Sequence, residues 1–147
     1  VGGLKMARAY AKRLNAPLAI VDKRRKNDTD IEVMHIIGEV KDKNVIIVDD
    51  IIATAGSLAE AINALKKEGA KDIYAAIAHP VLSGPAIDRI KNSPIKELVV
   101  TDTIAIDEKK MISKIKVLSI AGLLGEAIVR IHEERSISSL FDEDFKI

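Results

Sequence analysis

Two adjacent acids, Asp49 and Asp50, close an apolar run, and a small-residue stretch follows: Ile51-Ile52-Ala53-Thr54-Ala55-Gly56-Ser57. Carboxylates delivered by a buried strand accept hydrogen bonds from vicinal hydroxyls, and they also help hold a metal-bound substrate. A turn of small and hydroxylated residues that opens into a helix offers close backbone approach and free N–H groups, which suits a phosphate. Hydroxyls at one end and a phosphate at the other describe a sugar phosphate. Taken alone, an acidic pair more often merely ends a strand, and Ser57 is equally a helix cap. The whole array of strand, acidic pair, turn and helix reads as a site. The chain holds neither G-x-G-x-x-G nor G-x-x-x-x-G-K-[ST], so dinucleotide and Walker-type sites are unsupported.

A second cluster is basic. Lys23-Arg24-Arg25-Lys26 follows the apolar run Leu18–Val21. Charge runs are usually solvated faces, but cations placed directly after a strand's carboxyl end can close over developing negative charge and exclude water. The three histidines, His35, His79 and His132, stand at no metal-ligand spacing. His35 and His132 read as structural, while His79 ends a strand beside Pro80. Ser83-Gly84 fits a turn as well as a hydrogen bond to a ribose or base.

These groups need a scaffold, and the pattern supplies one. Leu18–Val21, Val45–Val48, Ile73–Ala78, Leu98–Val100 and Val117–Ile120 are short runs rich in Ile and Val, as in strands buried on both faces. Between them, Leu58, Ala61, Ile62 and Leu65 follow helical spacing, with Gly69 at the stop. Leu4, Ala7, Ala11 and Leu14 repeat that spacing near the start, and Leu124, Ala127, Ile128 and Ile131 near the end. A short helix is expected over Ala86–Lys91. Strand, helix, strand in this rhythm implies right-handed crossovers and a parallel sheet, hence an α/β fold in one domain over residues 1–147. Ligands of such sheets sit at the carboxyl ends of the strands, so the loops after Val21, Val48 and Ala78 matter most.

Composition narrows the classes. The 147 residues are 48% hydrophobic, enough for a core and too many for disorder. Only 3% are aromatic, and 23 basic residues nearly balance 22 acidic ones, so neither base stacking nor a strong field points to nucleic acid. There is no cysteine, which removes disulfides and thiolate chemistry and fits a reducing cytoplasm. No apolar run approaches the roughly 18 residues of a membrane span, and no signal peptide opens the chain. The chain starts Val1-Gly2-Gly3, without an initiator Met, and a longer protein is expected around it.

The Asp49–Ser57 stretch resembles the phosphoribosyl diphosphate signature of the type I phosphoribosyltransferase fold. Further segments make the chain similar to the C-terminal half of the ribose-phosphate pyrophosphokinase family: Gly2-Gly3 before a basic helix, Val21-Asp22-Lys23-Arg24-Arg25 with Glu32-Val33-Met34, His79 to Ala86, and Ser136 to Phe141. The resemblance implies a parallel-sheet, doubly wound three-layer domain. It implies transfer of the β,γ-diphosphoryl group of ATP to the 1-hydroxyl of ribose 5-phosphate, with Mg²⁺. Asp49 and Asp50 would bind the ribose hydroxyls, Thr54, Ala55, Gly56 and Ser57 would cradle the 5-phosphate, and Lys23 and Arg25 would be catalytic. Gly2 and Gly3 would belong to a pyrophosphate loop, with the metal ligands in the N-terminal half. Ser136, Ser138 and Phe141 would belong to a regulatory tail responding to phosphate and ADP. A cytoplasmic homo-oligomer is implied, built on dimers or as a hexamer, with no nucleic-acid or membrane partner. Ala53 stands where many members carry an acid. The alternatives are a free-standing phosphoribosyltransferase and a non-catalytic regulatory homologue.

Overall fold

Alternation of buried and half-buried side chains along Ile73–Pro80 marks a strand flanked on both sides, and the sheet is built around it. The structure, a computed structural model, describes residues 3–24 and 33–141, without the side chains of residues 23, 24, 33 and 34. In chain order the elements are α1 (Leu4–Arg13), β1 (Ile20–Arg24), β2 (Val33–Ile37), β3 (Val45–Ile52), α2 (Gly56–Lys67), β4 (Ile73–Pro80), α3 (Ala86–Asn92), β5 (Glu97–Thr101), β6 (Ile115–Leu118) and α4 (Ala121–His132). Short 3₁₀ turns cover Glu108–Lys110 and Ser138–Phe141. Strands β3, β4, β5 and β6 pair in that order as a four-stranded parallel sheet, as the strand–helix rhythm required.

Register sets one face of that sheet. Val45 pairs with Ile73, Ile47 with Ala75 and then Leu98, and Ile77 with Val100. These side chains meet Leu58, Ile62 and Leu65 of α2 and Ala86 and Ile90 of α3 in one aliphatic core. Each fully buried Leu or Ile there contributes about 1.5–3 kcal/mol of transfer free energy. Lys114 fixes the end of α3: its ammonium donates to the carbonyls of Lys91 at 2.8 Å and Ser93 at 2.7 Å, groups that a helix end leaves without partners.

Two expectations are corrected. The Leu18–Val21 run does not join the parallel sheet: β1 starts at Ile20 and pairs antiparallel with β2. Gly38 follows β2 at the open end of this pair at φ 112°, where a Cβ would lie 3.0 Å from the Ala19 backbone, so only glycine fits. Strand β3 does not stop at Val48. It runs through the acidic pair to Ile52, because Ile51 and Ile52 find partners in His79 and Pro80 of the long β4. The apolar stripes of α1 and α4 bury no residue fully within this chain, and Ile128 and Ile131 of α4 are about two-thirds exposed.

Candidate functional site

Because side chains alternate along a strand, Asp49 and Asp50 leave β3 on opposite faces at its carboxyl end. Both residues are exposed. The Asp50 N–H donates to Asp49 Oδ1 at 3.0 Å, which fixes the Asp49 carboxylate against the Asp50 backbone. Partial burial of the Asp49 carboxyl group raises its pKa above the ordinary carboxylate value, and the Asp50 charge adds to the rise against the lowering effect of that N–H bond. Two ionised carboxylates at a strand end are suited to accepting hydrogen bonds from neutral hydroxyls.

The turn after Ile52 is held by its carbonyls. The Ile52 carbonyl accepts from the Leu82 N–H at 3.2 Å, that of Ala53 from the Ser83 N–H at 2.9 Å, and that of Thr54 from Arg89 Nη1 at 2.9 Å. The Ala55 carbonyl accepts the helical bond from Ala59 at 3.0 Å. In a trans peptide the carbonyl and the following N–H point in opposite directions. Four consecutive carbonyls so engaged therefore turn the N–H groups of residues 53–56 the other way. Among the described residues, the N–H groups of Thr54, Ala55, Gly56 and Ser57 donate to no carbonyl. Ala55 makes the bend at φ 57°, a left-handed conformation uncommon for alanine, and it is buried while doing so. Ala55 is also the N-cap of α2, and no side chain caps that helix. Ser57 lies inside the helix, so the reading of Ser57 as a plain cap fails. Free N–H groups at the positive end of a twelve-residue helix form a nest for an anion.

A family description, the phosphoribosyl synthetase-associated domain, matches residues 29–142. The chain belongs to that family. Ribose-phosphate pyrophosphokinases are among its relatives: that of Halalkalibacterium halodurans is 58% identical over 141 residues, covering 96% of this chain and 45% of the relative. Those of Caldanaerobacter subterraneus and Bacillus subtilis are 59% and 54% identical, each covering 95% of this chain and 44% of the relative. The chain therefore spans less than half the length of these relatives. Among solved structures, the phosphoribosylpyrophosphate synthetase of Mycobacterium smegmatis superposes with a TM-score of 0.84 at 38% identity, covering 91% of this chain and 43% of that one. The α/β fold and the parallel sheet are thus those of a phosphoribosyl diphosphate synthetase, the type I phosphoribosyltransferase class.

Within this family frame, the other expected site residues are dispersed. Lys23 lies near the end of β1, its Cα opposite Met34, while Arg25 and Gly2 fall outside the described residues. Gly3 precedes α1 in open space, with nothing within 4 Å of where a Cβ would stand. The tail is tied to helices rather than to the cradle. Arg130 of α4 donates to the Ser136 carbonyl at 3.1 Å and to the Ser139 hydroxyl, Arg13 donates to the Phe141 carbonyl at 3.3 Å, and the Ser138 N–H donates to Ser136 Oγ. His79 Nδ1 meets the Thr103 hydroxyl at 2.9 Å, and the hydroxyls of Thr101 and Thr103 both donate to the Ala78 carbonyl.

Arg89 and the Leu82–Ser83 backbone were not legible as parts of the site, since their contribution comes through one side chain from a distant helix and two backbone N–H groups. A cleft of about 560 Å³ between α1, β1 and β3 is walled by apolar residues such as Leu4, Leu14 and Val45 and includes none of residues 49–57. Among the described residues, no group of three or more His, Asp or Glu is arranged to hold a metal ion, and no helix is long and apolar enough to cross a membrane.

Proposed function

We propose that this chain is the C-terminal half of a ribose-phosphate diphosphokinase and supplies its ribose 5-phosphate site. The observation that carries this reading is the turn after the Asp49–Asp50 pair, where the carbonyls of Ile52–Ala55 are all engaged and the N–H groups of Thr54–Ser57 are left to an anion. The 5-phosphate sits on the N–H groups of Thr54, Ala55, Gly56 and Ser57, and the ribose hydroxyls donate to Asp49 and Asp50. Both ends of the sugar are then fixed, and C1 is presented beyond the strand ends.

The reaction joins the 1-hydroxyl oxygen to the β-phosphorus of ATP and breaks the bond from that phosphorus to the oxygen that leaves with AMP. The hydroxyl proton is released to solvent. Negative charge spreads over the non-bridging oxygens, and Lys23 and Arg25 are assigned to it, Lys as a compact charge and Arg as a bidentate donor. Mg²⁺ bound with ATP would neutralise phosphate charge, and Asp49 and Asp50 would be the oxygen donors of this chain toward such a hard cation. Further ligands and most contacts to ATP are assigned to the N-terminal half, and Gly2 and Gly3 to its junction with this one. Ala53 is compatible with the reading, because the atom it contributes to the fold of the loop is its carbonyl oxygen, which any residue provides.

The exposed apolar residues Leu124, Ile128 and Ile131 on α4 support a homo-oligomer, since patches of this kind mark association surfaces. A cytoplasmic enzyme fits the absence of cysteine. Ser136, Ser138 and Phe141 are assigned to the regulatory tail.

Calorimetric titration with ribose 5-phosphate in Mg²⁺ tests the site. Saturable binding by the full-length protein that is lost in Asp49→Asn/Asp50→Asn is the expected result, and binding unchanged by both substitutions removes the assignment. Lys23→Ala and Arg25→Ala are expected to lower kcat by about 2–4 kcal/mol of transition-state stabilisation, the scale of a lost oxyanion donor.

A further inference from the structure

Thr54 is the residue of the cradle whose carbonyl is not held by backbone. Its neighbours Ile52 and Ala53 are tied to the N–H groups of Leu82 and Ser83, and Ala55 is tied into its own helix. The Thr54 carbonyl accepts instead from Arg89 Nη1, 2.9 Å away, from a helix 35 residues further along the chain. We infer that Arg89 is a positioning residue for the sugar-phosphate site: its guanidinium holds the Thr54–Ala55 peptide plane with the Ala55 N–H turned toward the 5-phosphate. The inference rests on the reading of Asp49–Ser57 as that site.

The peptide between Thr54 and Ala55 is the one with most reason to rotate. It leads into Ala55, whose φ of 57° is a conformation that an alanine leaves when the surroundings do not impose it. Rotation would bring the Thr54 carbonyl, the negative end of the peptide dipole, toward a bound phosphate and withdraw an N–H from it. A charged donor on that carbonyl opposes the rotation more strongly than a neutral one.

The anchor is itself well placed to be rigid. Helix α3 is fixed at one end by Lys114 on the Lys91 and Ser93 carbonyls, and its other end follows the Leu82–Ser83 segment that already docks on Ile52 and Ala53. Gly56 completes the arrangement. A Cβ at that position would lie 3.3 Å from Arg89 Nη1 and 3.9 Å from its Cζ, so the guanidinium packs along the bare Cα of the first helical residue. Glycine at this point leaves space for the arginine on the carbonyl side of the turn, opposite the N–H groups that face the phosphate.

The test is steady-state kinetics on the full-length protein with Arg89→Met, Arg89→Lys, Gly56→Ala and the double variant Arg89→Met/Gly56→Ala. Asp49→Asn serves as the reference for the site, and Lys96→Met, which removes an exposed cation from the opposite end of the sheet, serves as a control for charge loss. Arg89→Met is expected to raise KM for ribose 5-phosphate roughly tenfold, the scale of one charge-assisted hydrogen bond, with KM for ATP unchanged. Arg89→Lys restores most of the loss, because an ammonium still reaches a single carbonyl. Gly56→Ala raises the same KM by pressing on the guanidinium, and its effect shrinks in the Arg89→Met background. If Asp49→Asn raises KM for ribose 5-phosphate while Arg89→Met does not, the inference is overturned and the site stands. If neither changes it, the site assignment itself fails. A KM rise shared equally by ATP, or matched by Lys96→Met, makes Arg89 a structural residue and overturns the inference. Should Arg89→Met not fold, Gly56→Ala and Arg89→Lys decide alone: a rise for ribose 5-phosphate in the first and near-normal values in the second support it, and no change in Gly56→Ala overturns it.

Discussion

The Ser83 N–H donates to the Ala53 carbonyl at 2.9 Å and so joins the turn after β3 to the segment after β4. Leu82 beside it is buried at 1% exposure with φ 47°, a left-handed conformation that its surroundings impose. Lys110 reinforces the same point by donating to the Leu82 carbonyl at 3.0 Å. The two loops therefore behave as one unit, and Leu82 is its internal packing.

Truncating Leu82 should then affect both stability and the site. Leu82→Ala is expected to cost about 2–5 kcal/mol in urea denaturation, the range for a buried leucine, and to weaken ribose 5-phosphate. Leu98→Ala, at a fully buried position in β5, is expected to cost a similar amount without changing KM for the sugar phosphate. Equal effects of the two on that KM would dissociate Leu82 from the cradle.

Ala55 provides a test of the bend itself. A β-branched side chain in the left-handed region meets its own backbone, so Ala55→Val is expected to lose about 1–3 kcal/mol of stability and most ribose 5-phosphate binding. Ala55→Gly, which adopts φ 57° without strain, is expected to keep the binding. Thermal denaturation with calorimetry on both variants reads this directly. Binding that survives Ala55→Val would mean that the N–H nest tolerates another conformation.

The sequence disclosed the parts of this fold that follow a period and hid those that depend on partners. Ile73–Ala78 and Leu58–Leu65 were legible because both are buried in this chain, one with a run suited to a parallel sheet and the other with a helical stripe. Strand β2 was not, since its run is split by His35 and gains its pairing only from β1. The end of β3 was misplaced because the acidic pair reads as a terminus, whereas the length of β4 carries the pairing on to Ile52. The stripe of α4 was legible as a stripe, but nothing in a period says which chain covers it. Within the site, the residue types of Asp49–Ser57 were visible. The direction of their carbonyls was not, because it is set by Leu82, Ser83 and Arg89, whose contribution has no local pattern.

The tail is expected to depend on one side chain. Arg130 holds the Ser136 carbonyl and the Ser139 hydroxyl, and it is itself braced by Glu126 at 2.7 Å. Arg130→Met should expose residues 136–141 to limited proteolysis while leaving KM for ribose 5-phosphate in place, because the described bonds of the tail run to helices α1 and α4. If the tail takes part in regulation, the same variant blunts the response of the full-length enzyme to ADP. An unchanged cleavage pattern would show that Arg13 and the burial of Leu140 hold the tail without it.

Asp49 gives a pH dependence whose sign follows from its raised pKa. In the unfolded chain the group titrates near the ordinary value of 3.8; in the folded chain it holds its proton to higher pH, because partial burial and the Asp50 charge disfavour ionisation. Below the unfolded value both states are protonated, and Asp49 stabilises the fold as a neutral acid. As pH rises through the folded value, the folded state binds more protons than the unfolded one, and that stability is lost. Asp49→Asn carries no such titration. Its melting temperature relative to the wild type is therefore expected to rise as pH is raised from about 3.5 to neutrality, even as the variant loses ribose 5-phosphate. A difference in melting temperature that stays constant over that range would mean that Asp49 ionises in the fold as it does in the unfolded chain, and that the acidic end of the site is no more desolvated than free solvent.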